Sequence, residues 1–291
     1  MTPYSYSDLE DRGILLIRGD DTRQFLQGLI SNDVTLVTQN NAIYAALLTP
    51  QGKYLFDFFI AEHADGLLLE TERPRMSDLI KRLSIYKLRA KVHLQDISHE
   101  WHVVAVWGNS AFSTFSLTSE TGAAVAVFNG IAFVDPRFAK AGARLLLPRD
   151  NSFPKTGRVT SEAYDTHRLA LGLPDGSRDL VVEKATLLEN GFDELHGIDW
   201  NKGCYMGQEL TARTKYRGLV KKRLMPVNVN GPLPLPGTRI VSGNKSVGEI
   251  RSGRNHRALA LIRLDAINGE NKVLNAGTAT IVPQKPAWAS Y

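Results

Sequence analysis

A change in punctuation near Leu224 constrains this chain more than any other feature. From there to Tyr291, Pro232, Pro234, Pro236, Gly237, Gly243, Gly248 and Gly253 cut the sequence into short β-rich runs such as Arg239 to Val241 and Ala258 to Leu264. Proline and glycine at that density break helices and leave strands of a few residues, which bury their apolar faces by closing into a small barrel or stacking as a sandwich. A domain boundary therefore falls near Leu224, with 1–223 on one side and a β-barrel over 224–291 on the other.

Upstream, two periodicities alternate. Gly13 to Arg18 reads as a strand, Gly19-Asp20-Asp21-Thr22 offers helix-cap chemistry, and Phe25, Leu26, Leu29 and Ile30 predict a helix over Thr22 to Ile30. Ile43 to Leu48 and Tyr54 to Ile60 read as strands joined by a hairpin turn at Thr49-Pro50-Gln51-Gly52-Lys53. Leu67 to Glu70 is a further strand. Pro74 then stands at a first helical position, ahead of an apolar face made by Leu79, Ile80 and Leu83. A second block of strands follows at Trp101 to Trp107, Ala123 to Phe128, Ile131 to Val134 and Arg144 to Leu147, with turns at Asn129-Gly130 and Ala141-Gly142. Helices return at Thr160 to Leu171 and Lys184 to Glu189, closed by Gly172 and Gly191. Strands in hairpins with interspersed helices indicate an α+β region of two subdomains, split near 98–150, and no Gly-rich phosphate loop is present.

Composition narrows the class of protein. With 43% hydrophobic and 22% charged residues, the chain is of the ordinary soluble globular type. Met1 to Asp11 lacks a basic region followed by an apolar run, and Ala42 to Leu48 and Trp101 to Trp107 are far shorter than the ~20 residues of a spanning helix. The expectation is a cytoplasmic protein, or one of an equivalent reducing compartment, with no membrane partner. A net charge of +5 favours an anionic partner modestly. The single cysteine, Cys204, excludes an internal disulfide and a Cys/His zinc array. It also cannot cage an iron–sulfur cluster alone, since such clusters generally take about four thiolates; at most it gives one ligand to a cluster shared with another chain.

The chemistry-bearing segment runs from Asp199 to Arg213 and contains Lys202-Gly203-Cys204-Tyr205-Met206-Gly207-Gln208-Glu209. Gly203 and Gly207 give the backbone freedom around the cysteine. Lys202, Arg213 and a nearby helix N-terminus all favour thiolate, the form that acts as nucleophile or metal ligand. The alternative is a small cysteine filling an ordinary loop. Downstream, Arg213, Lys215, Arg217, Lys221, Lys222 and Arg223 place six cations in eleven positions around Tyr216, either as a solvated face or as a grip on an anionic ligand or RNA. Tyr44, Tyr54, Phe56, Phe58 and Phe59 read as strand core. Asp57 lies among them on the face opposite Phe56 and Phe58, either exposed on a polar face or held to bind something.

The Lys202-to-Glu209 loop resembles the signature of the YgfZ-type folate-binding proteins, relatives of the glycine-cleavage T-protein that assist maturation of [4Fe–4S] proteins. The resemblance extends to Arg18-Gly19-Asp20, Phe25 to Leu29 and Asn32-Asp33-Val34, to Leu48 to Lys53 with Asp57, to Tyr164 to Pro174, and to Ser246 to Ser252. It implies a T-protein-like arrangement of α+β domains around a central channel, with a C-terminal β-barrel, and tetrahydrofolate or a derivative as the ligand. Asp57 matches the second of two adjacent acids in the T-protein, while Phe56 replaces the first; Glu189 aligns with a glutamate that contacts the pterin. Arg213 and the basic run are assigned to the glutamate tail from charge. The leading function is a folate-binding accessory factor for cluster assembly or repair. Cys204 serves there as thiolate or shared cluster ligand, Lys202 tunes it, and cluster-assembly proteins or [4Fe–4S] clients are the partners. A folate-dependent aminomethyltransferase is the second reading, and a basic RNA- or protein-binding scaffold the third, with nucleic acid the less favoured partner. The mitochondrial matrix is the alternative location that the family implies.

Overall fold

The computed structural model describes residues 4–64, 66–150, 156–267 and 273–290. The chain forms two compact units, one of Met1–Leu48, Leu55–Tyr164 and Leu195–Met206, the other of Thr49–Tyr54, Asp165–Glu194 and Gly207–Tyr291.

In the first unit the strands are β1 (Ser5–Asp8), β2 (Arg12–Arg18), β3 (Ile43–Leu48), β4 (Tyr54–His63), β5 (Gly66–Glu72), β6 (His93–Asp96), β7 (Trp101–Trp107), β8 (Ala124–Val127), β9 (Gly130–Val134) and β10 (Ala143–Pro148). The helices are α1 (Thr22–Gln27) and α2 (Met76–Lys87), and α3 (Ser161–Leu171) runs from this unit into the second. The strands make two five-stranded sheets, ordered β3-β4-β5-β2-β6 and β1-β7-β10-β9-β8. All of β3 and the first eight residues of β4 are buried, so both faces of that hairpin are covered. This is why five aromatic residues crowd its sequence, and why Asp57 is buried as well.

Phe59 on β4 reaches the second sheet, with its ring 6.2 Å from that of Phe133 on β9. Glu70 pairs with Phe59 across β4 and β5. Its carboxylate is wholly buried, which would be costly without partners. Arg12 donates to it, Arg144 donates two bonds of 3.0 and 2.9 Å, and the Arg144 guanidinium lies 4.0 Å from the Phe59 ring centroid. Asp135 receives Arg137 at 2.8 and 3.0 Å; burial works against its charge, yet Arg137 and Arg144 hold it below the usual carboxylate range. The inter-sheet layer is therefore ionic and aromatic together, each charge balanced by a neighbour.

The second unit carries α4 (Gln208–Tyr216), α5 (Leu264–Ile267) and six strands, β11 (Lys222–Asn230), β12 (Arg239–Ser242), β13 (Lys245–Arg254), β14 (Arg257–Arg263), β15 (Leu274–Ala276) and β16 (Ala279–Pro283). These close into a barrel in the order β11-β14-β13-β12-β15-β16, around Met225, Val227, Val229, Ile240, Ile250, Ala260 and Ile262. Closure leaves no edge for strands this short, and register shifts between Ile240 and Val241 and between Ile250 and Gly253 supply the bends.

One buried guanidinium ties α3 to the barrel. Arg168 donates to Asp165 at 2.7 Å, to Asp179 at 2.8 Å and to the Ser252 hydroxyl on β13 at 2.8 Å, while Asp179 also accepts from Ser252 N–H at 3.0 Å. The blocks Tyr164 to Pro174 and Ser246 to Ser252, which share no local pattern, are thus two halves of one clamp.

Two expected helices differ. The segment Lys184 to Glu189 is not a helix; only a 3₁₀ turn at Leu188–Asn190 forms. Glu183 sits at φ +61°, and the backbone pairs with Tyr54 through Glu183 N–H to Tyr54 O and Tyr54 N–H to Ala185 O, so tertiary pairing displaces the helical ladder. The helix predicted over Thr22 to Ile30 stops at Gln27 for a reason that belongs to the site.

Candidate functional site

α1 has six residues and ends at Gly28. Leu26 O still accepts from Leu29 and Ile30 N–H, but the carbonyls after it are taken from outside. The Lys202 ammonium donates to Gln27 O at 2.9 Å, Ile30 O at 2.7 Å and Asn32 O at 2.7 Å, and Met206 N–H donates to Gly28 O at 3.0 Å. Asp199 turns the loop that brings Lys202 there, its carboxylate accepting from the N–H groups of Asn201 at 2.6 Å and Lys202 at 2.9 Å. Ser31 and Asn32 complete the join. The Ser31 hydroxyl donates to Gly197 O at 2.6 Å and accepts from Ala46 N–H at 2.8 Å, and the Asn32 amide donates to Tyr44 O and His196 O, both at 2.8 Å.

The result is a loop held on both sides of its cysteine. Lys202 points inward and lies 5.1 Å from the ring centroid of Tyr205, which is buried; Cys204, between them, is exposed. Burial lowers the Lys202 ammonium to about 8, partly offset by Asp33 and Asp199. Lys202, which the sequence assigns to tuning the cysteine, commits its ammonium to three backbone carbonyls. Gly203 has open space where a Cβ would stand, so packing does not demand glycine there. Gly207 is different: it adopts φ +80° as the residue before α4. Gly52 in the hairpin turn, at φ +79°, approaches it so closely that a Cβ would lie 2.7 Å from Gly207 O and 2.6 Å from the Leu210 Cβ.

Asp57 is 2% exposed, and its Oδ2 accepts the Tyr44 hydroxyl at 2.8 Å. Burial, and then the Asp57 charge, keep the Tyr44 phenol well above its ordinary range, so it remains a donor. Phe56, on the opposite side of the strand, carries the Arg75 guanidinium 4.1 Å from its ring centroid. Glu189 is half-buried and accepts the Thr186 hydroxyl at 3.0 Å, while Arg213 is exposed on α4. Of the residues singled out in the sequence, Asp57, Lys202 and Cys204 belong to the first compact unit, and Glu189 and Arg213 to the second.

The basic run divides. Arg223 is buried and structural, donating to Leu188 O at 2.7 Å, Glu194 at 3.0 Å and Asp193 at 3.2 Å; the other five cations are exposed. Among the described residues no group of three or more His, Cys, Asp or Glu side chains could hold a metal ion, and no helix is long and apolar enough to cross a membrane. Sequence reasoning missed Tyr44 as the partner of Asp57, and Arg12, Glu70 and Arg144 as a charge layer. Tyr44 was legible only as an aromatic, and Arg144 lies 74 positions from its carboxylate.

Comparison with known proteins completes the description. Residues 5–145 match the family model of the GCVT N-terminal domain, and residues 221–291 that of the CAF17 C-terminal β-barrel domain. The solved aminomethyltransferase T of the glycine cleavage system from Bartonella henselae superposes with a TM-score of 0.79 over 98% of this chain and 86% of its own, at 12% identity, which shows the shared fold. The mouse mitochondrial iron–sulfur cluster assembly factor IBA57 is 34% identical over 285 residues, covering 90% of this chain and 78% of the relative. Its human counterpart is 35% identical over 283 residues, with the same coverage of 90% and 78%. With the aminomethyltransferase fold, the closed six-stranded barrel and this degree of identity, the chain belongs to the IBA57 family of iron–sulfur cluster assembly factors, within the GCVT-type aminomethyltransferase superfamily.

Proposed function

We propose that this chain is a tetrahydrofolate-binding accessory factor in the maturation or repair of [4Fe–4S] proteins, acting through Cys204 as a reactive thiolate or as one ligand of a cluster shared with another chain. The observation that carries this reading is the presentation of Cys204: an exposed thiol on a loop fixed from both sides by Lys202 and Tyr205. A thiol that merely filled space would be buried. Lys202 contributes by holding the loop. The Lys202-to-Glu209 motif supports placement in the YgfZ-type, folate-binding branch.

The residues present suit a folate in their chemistry. Asp57 is a buried carboxylate in an aromatic strand, its Oδ2 oriented by Tyr44, an environment that favours an N–H-rich planar ring. Asp57 is the acceptor we assign to the pterin. When bound, tetrahydrofolate supplies a reduced pterin able to carry a one-carbon unit. The protein's part is to receive its N–H groups on the Asp57 carboxylate and to keep water from Asp57 by burial. Aminomethyl transfer gains nothing from Phe56, which occupies the position of the first acid and stacks under Arg75. The cytoplasm or the mitochondrial matrix, both reducing, is the compartment in which such a lone thiol would work.

Calorimetric titration with tetrahydrofolate tests the ligand. Saturable binding by the native chain, lost in Asp57→Asn, is the expected result, and no binding by the native chain would remove folate from the proposal. Complementation of a deletion strain tests the thiol: Cys204→Ser should fail to restore [4Fe–4S] enzyme activity, and full restoration would refute its role.

A further inference from the structure

The fold uses only part of the basic run. α4 ends in a Schellman turn in which Gly218, at φ +58°, donates its N–H to Lys215 O at 3.1 Å and Leu219 donates to Thr214 O at 3.0 Å. The chain then enters β11, where strand alternation turns Arg223 inward to Asp193 and Glu194 and leaves Lys222 outside. No carboxylate occurs between Leu210 and Lys222. Arg213, Lys215, Arg217, Lys221 and Lys222 are all exposed, and Arg213, Arg217, Lys221 and Lys222 form no ion pair among the described residues. Lys222 pairs across β11 and β14 with Arg263, whose charge is taken up by Asp265. Within this field Tyr216 is 76% and Leu219 46% exposed.

The helix dipole accounts for some of the charge. Cations at a helix C-terminus are favourable, which gives Arg213, Lys215 and Arg217 a local purpose. It does not reach Lys221 and Lys222, which lie beyond the helix, and it gives no reason to leave a tyrosine and a leucine in water. An exposed aromatic and an exposed aliphatic side chain within a run of Arg and Lys have instead the composition of a protein interface, which joins apolar contacts to charged ones. A nucleic-acid groove would stack successive bases on several aromatics, and this surface has one.

We propose that residues 213–222 form the docking face for an acidic protein, a carrier or recipient of an iron–sulfur cluster. The inference rests on the assembly function proposed above and names the kind of partner that function requires. α4, which begins four residues after Cys204 in the chain, carries the Arg213 end of this face. Attraction between a basic face and an acidic partner speeds encounter and weakens with salt.

The test uses the full chain and, as an acidic client, an apo-ferredoxin of the bacterial two-[4Fe–4S] type. Calorimetry at 50 and 300 mM NaCl should show saturable binding whose Kd rises about tenfold with salt. The variant Arg217→Glu/Lys221→Glu/Lys222→Glu should lose at least as much affinity at 50 mM while melting like the native chain, because its altered side chains are exposed and unpaired. Absence of binding at 50 mM, or binding indifferent to the charge reversal, overturns the proposal. So does tighter binding of a 20-nucleotide oligouridylate, which would make the face a nucleic-acid site, or an effect of the reversal on pteroylpolyglutamate alone, which would make it the folate-tail site. If the charge-reversed chain restores enzyme activity in the deletion strain and Cys204→Ser does not, the docking face falls and the assembly function stands. If both restore it, the docking face and the role of Cys204 fall together; if the native chain itself does not restore it, the assembly function falls.

Discussion

Asp57 and Cys204 belong to the same compact unit and are treated oppositely by it. Asp57 sits mid-strand in a hairpin covered on both faces, its carboxylate fixed by Tyr44. Cys204 stands in water on a loop, and everything around it is fixed instead: Lys202 on three carbonyls, Met206 on Gly28, Asp199 on the turn. In the function proposed here Asp57 serves a small ligand, for which a pre-oriented carboxylate is best. A group meant for another protein has to be reachable, and its precision comes from the anchorage of its neighbours.

The sharpest way to break this comparison is at the thiol. Cys204→Ser should reduce [4Fe–4S] enzyme activity in complemented cells to the level of the deletion, while the melting temperature stays within about 1 °C of the native value, as for other exposed substitutions. A large drop in melting temperature would show that Cys204 is structural after all. At the carboxylate the balance reverses. Asp57→Ala removes the acceptor of the buried Tyr44 bond and opens space beside it, and should cost about 2–4 kcal/mol in urea unfolding. Asp57→Asn, which keeps the volume and an acceptor, should cost less than about 1.5 kcal/mol. If both substitutions were neutral, the carboxylate would be less firmly held than its burial indicates.

Lys202 sharpens the comparison, because it belongs to the loop and yet points inward. Lys202→Met should cost about 2 kcal/mol by removing its charged hydrogen bonds to carbonyls, and should raise the rate of Cys204 alkylation severalfold as the loop loosens. An unchanged rate would mean that other contacts hold the loop. The smallest effect expected is one of pH. The folded-state value of Lys202, about 8, lies below the ordinary lysine value of 10.5, so between these the unfolded chain binds more protons than the folded one. Stability attributable to this group therefore rises from pH 8 toward pH 10.5, and the native-minus-Lys202→Met difference in unfolding free energy should climb across that window alone. A flat difference would show that carbonyl bonding offsets the desolvation of the ammonium.

Much of the fold was legible because its signals are local. The Pro50–Gly52 turn between two apolar runs gave the β3–β4 hairpin, Leu79 and Leu83 gave the buried face of α2, and the punctuation after Leu224 gave the barrel. Legibility failed where distant backbone replaced local bonds. Leu29 and Ile30 keep helical spacing, are buried and still bond back to Leu26 O, yet the helix goes no further because Ser31 N–H turns to Ala46 O and the Gln27 and Gly28 carbonyls go to Lys202 and Met206. Lys184 to Glu189 has helical composition, yet Tyr54 claims its backbone.

By itself the sequence determined the α+β region, the barrel, the lone cysteine and its loop, because each depends on residue spacing or on residue type. Tertiary structure alone decided that Lys202 anchors its loop on three carbonyls, that Tyr44 orients Asp57, and that Arg223 is spent inside while Lys221 and Lys222 are left outside. The physical reason is common to all three. A charge or a hydrogen-bonding group acquires its role from the partner that desolvates with it, and here those partners lie from 13 to 175 positions away in the chain.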